Sequence, residues 1–205
     1  MLVVSSLLPT RSNINGPSAL LYSVLKYRSN GEKVRLYCFN HIGATAQQLR
    51  EIEAELNIEI EVELRKPRRI LRYFRGILKI LRGLPHESGI FNLTSTANLE
   101  IASTKTVLLY PSWLVGLMKN ANSDIHILAP DCMALHYRRT LRHHPKRLNR
   151  YIAAFRWLLS INLERVASKR AAAVYFVGRD DLRYYYICGG RNGIFIRHPI
   201  SEDML

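Results

Sequence analysis

Cysteine is scarce in this 205-residue chain: Cys38, Cys132 and Cys188 are scattered, with no CxxC and no Cys/His spacing. That excludes a disulfide framework and a zinc site, and reads as reduced thiols in a cytosolic protein. Long hydrophobic runs are lacking too. The longest uncharged apolar stretch, 106–118, is interrupted by Pro111 and falls short of the ~20 residues that a spanning helix needs. The opening MLVVSSLLPTR has no basic n-region and reads as a buried first strand, not a signal peptide. A membrane would therefore be met from its surface. There is no repeat, no GxGxxG or Walker loop, and no helix-turn-helix, RNP or KH signature. Acidic residues are few, with 16 Asp+Glu against 30 Lys+Arg and a net charge of +14. Such an excess calls for an anionic partner: nucleic acid, acidic lipid head groups or phosphorylated small molecules. The missing recognition motifs argue against nucleic acid.

What is present is alternation. Strand-like runs lie at 2–8, 34–39, 58–64, 89–93, 106–110, 125–129, 174–178 and 194–196. Helical patterns lie at 17–29, 44–56, 67–82, 112–120 and 145–170, and RDDLRYYY makes a further short helix. The order predicts an α/β domain, a Rossmann-like doubly wound, mostly parallel sheet covered by helices. The length suits one domain with a real core. IEIEVEL alternates strictly, with Ile58, Ile60, Val62 and Leu64 on one face and Glu59, Glu61 and Glu63 on the other. One wet face places this third strand at a sheet edge, as in the Rossmann order 3-2-1-4-5.

Two loops at carboxyl ends of strands carry polar groups. After the first strand comes TRSNINGPSALL, where Pro17 suits a first helical position and Asn15 or Gly16 caps it. A helix start there is a natural anion site, so Asn13, Asn15 and Gly16 either touch ligand or shape the turn. In IHILAPDCMALHYRR a buried strand runs into Asp131, His136, Arg138 and Arg139. Asp131 would bind a sugar hydroxyl or act as a base, and the arginines would grip phosphate in forked geometry. The plainer alternative is that Asp131 caps the next helix and the arginines form a solvated face. His143 and His144 mark a helix start, since no third metal ligand is suggested. Tyr184–Tyr186 suit packing better than stacking on a ligand.

The segment RKPRRILRYFRGILKILRG puts Arg68, Arg72, Arg75, Lys79 and Arg82 on one helix face and Ile70, Leu71, Phe74, Ile77, Leu78 and Leu81 on the other. A cationic face beside a rich apolar one suits an interfacial membrane helix. The alternative is a helix that covers the sheet and leaves its basic face in solvent. Gly76 interrupts the pattern. With the basic run RRTLRHHPKRLNR, these clusters concentrate the excess charge.

Several of these segments together resemble the acceptor-side, N-terminal domain of GT-B glycosyltransferases of the group 1 type, which build bacterial surface polysaccharides: NGPS, APDCMALHYRR, and INLERVASKRAAAVYFVGRDDLRYY leading to IFIRHPI. Glu164, Ala171–Ala173, Gly178 and Asp180 fit the family's closing pattern, whereas His198-Pro199-Ile200 departs from its usual Pro-Asn-Gly turn. The resemblance implies a Rossmann-like domain over 1–197, the start of an interdomain linker at 198–205, and an absent second, donor domain. It implies an enzyme moving a sugar from a nucleotide-sugar donor to a polysaccharide or lipid-linked glycan on the cytoplasmic membrane face. No cofactor is expected in this chain, though the complete enzyme would take the nucleotide sugar. The alternative is a non-catalytic module, truncated or one half of a split enzyme, binding anionic membrane or a separate donor-domain chain.

Overall fold

The computed structural model describes residues 1–11, 16–28, 33–118 and 124–197. Among these described residues, nine strands and seven α-helices follow one another as β1 (Leu2–Ser5), α1 (Gly16–Lys26), β2 (Val34–Cys38), α2 (Ala46–Leu56), β3 (Ile58–Glu61), β4 (Leu64–Arg65), α3 (Arg69–Leu81), β5 (Asn92–Leu93), α4 (Ser95–Ser103), β6 (Thr106–Tyr110), β7 (Asp124–Ala129), α5 (Met133–His143), α6 (Arg147–Arg170), β8 (Ala173–Phe176), α7 (Arg179–Ile187) and β9 (Gly193–Phe195). Two 3₁₀ turns, His86–Gly89 and Ser112–Leu117, complete the connections.

The main sheet has seven strands in the order β3-β2-β1-β6-β7-β8-β9, and every neighbouring pair is parallel. This is the Rossmann-like α/β architecture the alternation predicts, with the third strand at the edge. Successive strand residues feed opposite faces. On β6, Val107 and Leu109 join one core while Leu108 and Tyr110 join the other; β1 divides Leu2 and Val4 from Val3 in the same way. Leu20, Leu21 and Leu25 of α1 and Leu56 of α2 pack in the core of one face. Residues of α4, α5, α6 and α7 pack in the other. Parallel sheets need cover on both faces, and these two layers supply it.

At the edge, Arg35 of β2 lies 3.1 Å from Glu59 and 3.6 Å from Glu61, and it also donates to Glu100 of α4. Glu59 and Glu61 thus stand on a wet face with a cation laid across them, while Glu63, beyond the strand, accepts from the Thr94 hydroxyl. Helix α2 starts in a reciprocal cap: Thr45 Oγ1 accepts from the Gln48 amide at 3.3 Å, and Gln48 Oε1 accepts from the Thr45 amide at 2.9 Å.

Four expectations change. The third strand ends at Glu61, and Leu64–Arg65 turns away to pair antiparallel with Asn92–Leu93 in a separate ladder. The run 89–93 is therefore no main-sheet strand. Helix α4 was not expected, because STANLEIAS lacks a periodic apolar stripe; Thr94, whose Oγ1 accepts from the Ala97 amide at 3.2 Å, is its start signal. The 112–120 pattern is a 3₁₀ turn over Ser112–Leu117. Finally, α3 does not cover the sheet. It packs its Arg75–Gly76 backbone on the 3₁₀ turn at Gly89, where a Cβ would meet Arg75 and Gly76 backbone atoms at 3.0 Å. Gly76 is buried in that contact, but the steric demand falls on Gly89, since a Cβ at position 76 would meet His86 only at an ordinary 3.5 Å.

Candidate functional site

The strand order reverses between β1 and β6, and the crevice outside their carboxyl ends is where ligands bind in open α/β sheets. Its walls are tied by short polar contacts. The Ser6 amide donates to the Tyr110 carbonyl at 3.0 Å. The Tyr110 hydroxyl donates to the Pro17 carbonyl in the first turn of α1. Buried Ser18 donates to the Leu8 carbonyl at 2.5 Å and meets Thr10 Oγ1 at 2.8 Å. These bonds fold the 8–10 segment back onto the start of α1. Gly16 opens α1, and its first turn holds no acidic residue. Asn13 and Asn15 lie outside the described residues.

His41, just beyond β2, joins this wall. Its Nδ1 accepts from the Leu8 amide at 3.1 Å, which puts the ring proton on Nε2. Burial, and then the charge of Lys66, hold its pKa below the ordinary histidine value. Nε2 is shielded from water and has no hydrogen-bond partner among the described residues. Sequence reading passed over this histidine, whose only mark is its place after a strand in FNHIGAT.

A second helix start, that of α5, lies at the end of β7, and the protein fills it itself. Asp181 Oδ1 accepts from the Cys132 amide at 2.8 Å, and Glu164 Oε1 accepts from the Met133 amide at 3.0 Å. Cys132 Sγ donates to the same Glu164 oxygen at 3.6 Å. Two carboxylates from α6 and α7 thus occupy the positive end of the α5 dipole, a place otherwise open to a phosphate. Glu164 is fully buried, and desolvation raises its pKa to about 7 against the pull of those donors. Asp181 is raised as well, first by desolvation and then by the charge of Asp131.

Asp131 therefore does not cap α5; Cys132 holds the cap position. Asp131 is exposed between β7 and α5. Its charge acts on Asp181 and on Tyr110, whose hydroxyl pKa is raised chiefly by burial. The Tyr110 hydroxyl, bonded to the start of α1, and Asp181, bonded to the start of α5, thus both feel the charge of Asp131. The basic residues of α5 spread out. Arg139 pairs with Asp180 at 3.6 Å. Arg138 lies 5.1 Å over the Tyr184 ring, and its charge reaches Cys188 at the far end of α7. His136 is exposed and meets Tyr137 edge-on at 5.2 Å. Tyr184 and Tyr185 are buried, so they pack, and Trp157 donates to the Tyr184 hydroxyl at 3.1 Å. His144 accepts from the Lys146 amide at 3.2 Å as part of the turn into α6. Among the described residues no cluster of three His, Cys, Asp or Glu could hold a metal.

Gly178 makes the α5 clamp possible, since a Cβ there would sit 2.2 Å from Asp181 Oδ2. Gly178→Ala is expected to dislodge Asp181, free the Cys132 amide and lower stability by about 1–2 kcal/mol, read as a fall in thermal midpoint. An unchanged midpoint would show that Asp181 is dispensable as a cap.

Away from the crevice, α3 turns its apolar side outward: Ile70 is 83% and Leu81 76% exposed, and Leu71, Phe74 and Ile77 are more than half exposed. Of its basic residues, Arg68 and Arg82 are exposed, whereas Arg72, Arg75 and Lys79 are half-buried, Lys79 donating to the Gly116 carbonyl. The first half of α6 exposes Leu148, Tyr151 and Leu158 likewise. No helix among the described residues is long and apolar enough to cross a membrane.

No family model matches the chain, and no curated protein does. The fold does have a solved counterpart. Anabaena HepE, crystallised in complex with UDP and glucose, superposes with a TM-score of 0.52 at 14% identity, over 98% of this chain and 45% of HepE. The chain thus spans less than half the length of HepE. At that identity the likeness concerns the backbone: this chain has the Rossmann-like fold that forms part of a UDP- and glucose-binding protein.

Proposed function

We propose that the chain is the N-terminal, acceptor-side domain of a GT-B glycosyltransferase of the group 1 type. It serves transfer of a sugar from a nucleotide-sugar donor to a polysaccharide or lipid-linked glycan at the cytoplasmic membrane face. The observation that carries this is the match of nearly the whole chain to part of HepE, whose bound UDP and glucose are the two parts of a nucleotide sugar. The crevice agrees with it. Of the helix starts above β1 and β7, α5 is filled by Glu164 and Asp181, and α1 carries no acid in its first turn. An anionic substrate group is favoured there, with exposed Asp131 across the crevice to accept from a sugar hydroxyl or take its proton. In this reading the crevice forms one wall of the interdomain cleft and meets the bound donor even though the second domain holds most of its contacts, so the test is amide NMR of the labelled chain titrated to millimolar UDP-glucose, with ATP as control. Saturable shifts at Ser6, Gly16, Tyr110 and Asp131 with UDP-glucose are expected. Shifts confined to other surfaces, or an equal response to ATP, would sink the reading.

A second reading, a membrane-binding module without catalysis, is favoured by the outward apolar face of α3. The two readings share a membrane surface. They part on the titration, since a non-catalytic module would leave the crevice amides unmoved by UDP-glucose.

A further inference from the structure

Between α3 and the first half of α6 runs a groove of about 740 Å³, a size usual for small-molecule sites. Ile77 and Ile80 line it from α3, and Ile152, Phe155 and Leu159 from α6. Lys66, Arg72 and Arg156 also line it. Two of these cations rest on aromatic faces: Lys66 lies 4.4 Å from the Phe39 ring centre, and Arg156 lies 5.7 Å from that of Tyr137. No Asp or Glu occurs from Lys66 to Pro85, nor from Cys132 to Leu163, so neither wall carries an anion of its own. The neighbouring Glu87 is engaged by His86 at 3.0 Å and by Tyr137 at 3.1 Å.

An occupant must therefore be apolar along its length and anionic at one end. Inorganic phosphate would leave the apolar walls wet, and a neutral hydrocarbon would leave three cations without counter-charge. The apolar surface also continues outward from the groove, through Phe74 and Leu81 on α3 and Tyr151 and Leu158 on α6. That continuity suits a lipid leaflet lying against both helices. We propose that the groove takes one hydrocarbon chain of an anionic phospholipid of the membrane, with the lipid phosphate among Lys66, Arg72 and Arg156. The inference rests on the membrane contact proposed above and adds α6 and a chain-binding cleft to it.

The test uses the full chain and monomeric lysophosphatidic acid below its micelle concentration, followed by calorimetry. The comparison probes are a monoacylglycerol of equal chain length and inorganic phosphate. Saturable one-to-one binding is expected, weakened roughly tenfold or more by Phe155→Glu and by Ile77→Glu, and weaker by a similar factor for the monoacylglycerol. Phe155 and Ile77 are about half exposed, so both variants should fold, which circular dichroism checks. Unchanged binding in both variants, no binding at all, or equal affinity for inorganic phosphate would each overturn the proposal. Wild-type flotation on anionic vesicles without one-to-one binding would overturn the groove while leaving the membrane contact standing. The UDP-glucose titration reports on the crevice independently of either.

Discussion

Glu164→Gln will gain on the wild type by about 3 kcal/mol as the pH rises from 5 to 8. Glu164 is fully buried, its pKa is raised to about 7, and one of its oxygens, Oε2, has no hydrogen-bond partner among the described residues. In the unfolded chain the same carboxyl titrates near the ordinary glutamate value. Below that value both states are protonated and the burial of Glu164 costs nothing extra. Between the two values the unfolded state gives up its proton while the folded state keeps it, so stability falls with rising pH. Above about 7 the whole penalty is present. Glutamine keeps a carbonyl oxygen for the Met133 amide and cannot ionise, so it escapes this slope. Asp181 is shifted in the same direction, but it is common to both proteins and cancels in the difference. Urea unfolding of both proteins at pH 5 and pH 8 measures it. Parallel pH profiles would mean that Glu164 titrates normally and that its burial is not what the structure shows. Glu164→Ala leaves the Met133 amide without its acceptor and opens a cavity, so it should lose about 3 kcal/mol at pH 5, where glutamine loses little.

The triple variant Ile70→Glu, Phe74→Glu, Leu81→Glu will lower partitioning onto anionic vesicles at least about a hundredfold without lowering the unfolding midpoint. Full burial of such side chains contributes about 1.5–3 kcal/mol each, and partial insertion at a leaflet about half of that. Near the surface, each exposed basic group adds about 1 kcal/mol, and Arg68, Arg69 and Arg82 stand ready to do so. The new carboxylates oppose both contributions. All three positions are at least 60% exposed, so the fold loses nothing when they change. Reversing Arg68, Arg72 and Arg75 would be a less clean test. Arg72 and Arg75 are half-buried against the body of the protein, and their reversal would disturb packing as well as charge. Failure of the wild type to float on anionic vesicles would remove the membrane reading, whatever the variant does.

The architecture was legible because its signal is periodic. Strict alternation in IEIEVEL placed β3 at the edge, and buried runs before polar loops located β1, β6 and β7. Elements without a period leave little trace: α4 announces itself only by Thr94, and the 89–93 run reads as a main-sheet strand although Asn92–Leu93 pairs with β4. The site was legible in part. Gly16 and Asp131 follow β1 and β7, because position after a parallel strand is a topological fact that sequence order carries, while their contact with a ligand belongs to the proposal. His41 was not found, since its contact with Leu8 joins segments 33 residues apart. The pattern around Glu164, Gly178 and Asp180 was seen as a resemblance before its physical basis was visible. For Glu164 and Gly178 that basis is a clamp on the start of α5, but its second carboxylate is Asp181, to which Gly178 gives room, while Asp180 pairs with Arg139 and Arg183 instead. The basic helix misled in orientation only. Periodicity separates two faces without saying which one turns inward, and in α3 the contact of Gly76 with the 3₁₀ turn decides it.

Helix α6 runs for 24 residues, or about 36 Å at the usual rise. One end bears the outward Tyr151 and the other bears Glu164, some 20 Å further along. The two ends therefore form one stiff strut. Tyr151 and the carboxyl group that holds the first turn of α5 thus lie on one uninterrupted helix. The outer surface and the turn beside Asp131 are bridged by one continuous element rather than by a relay of loops.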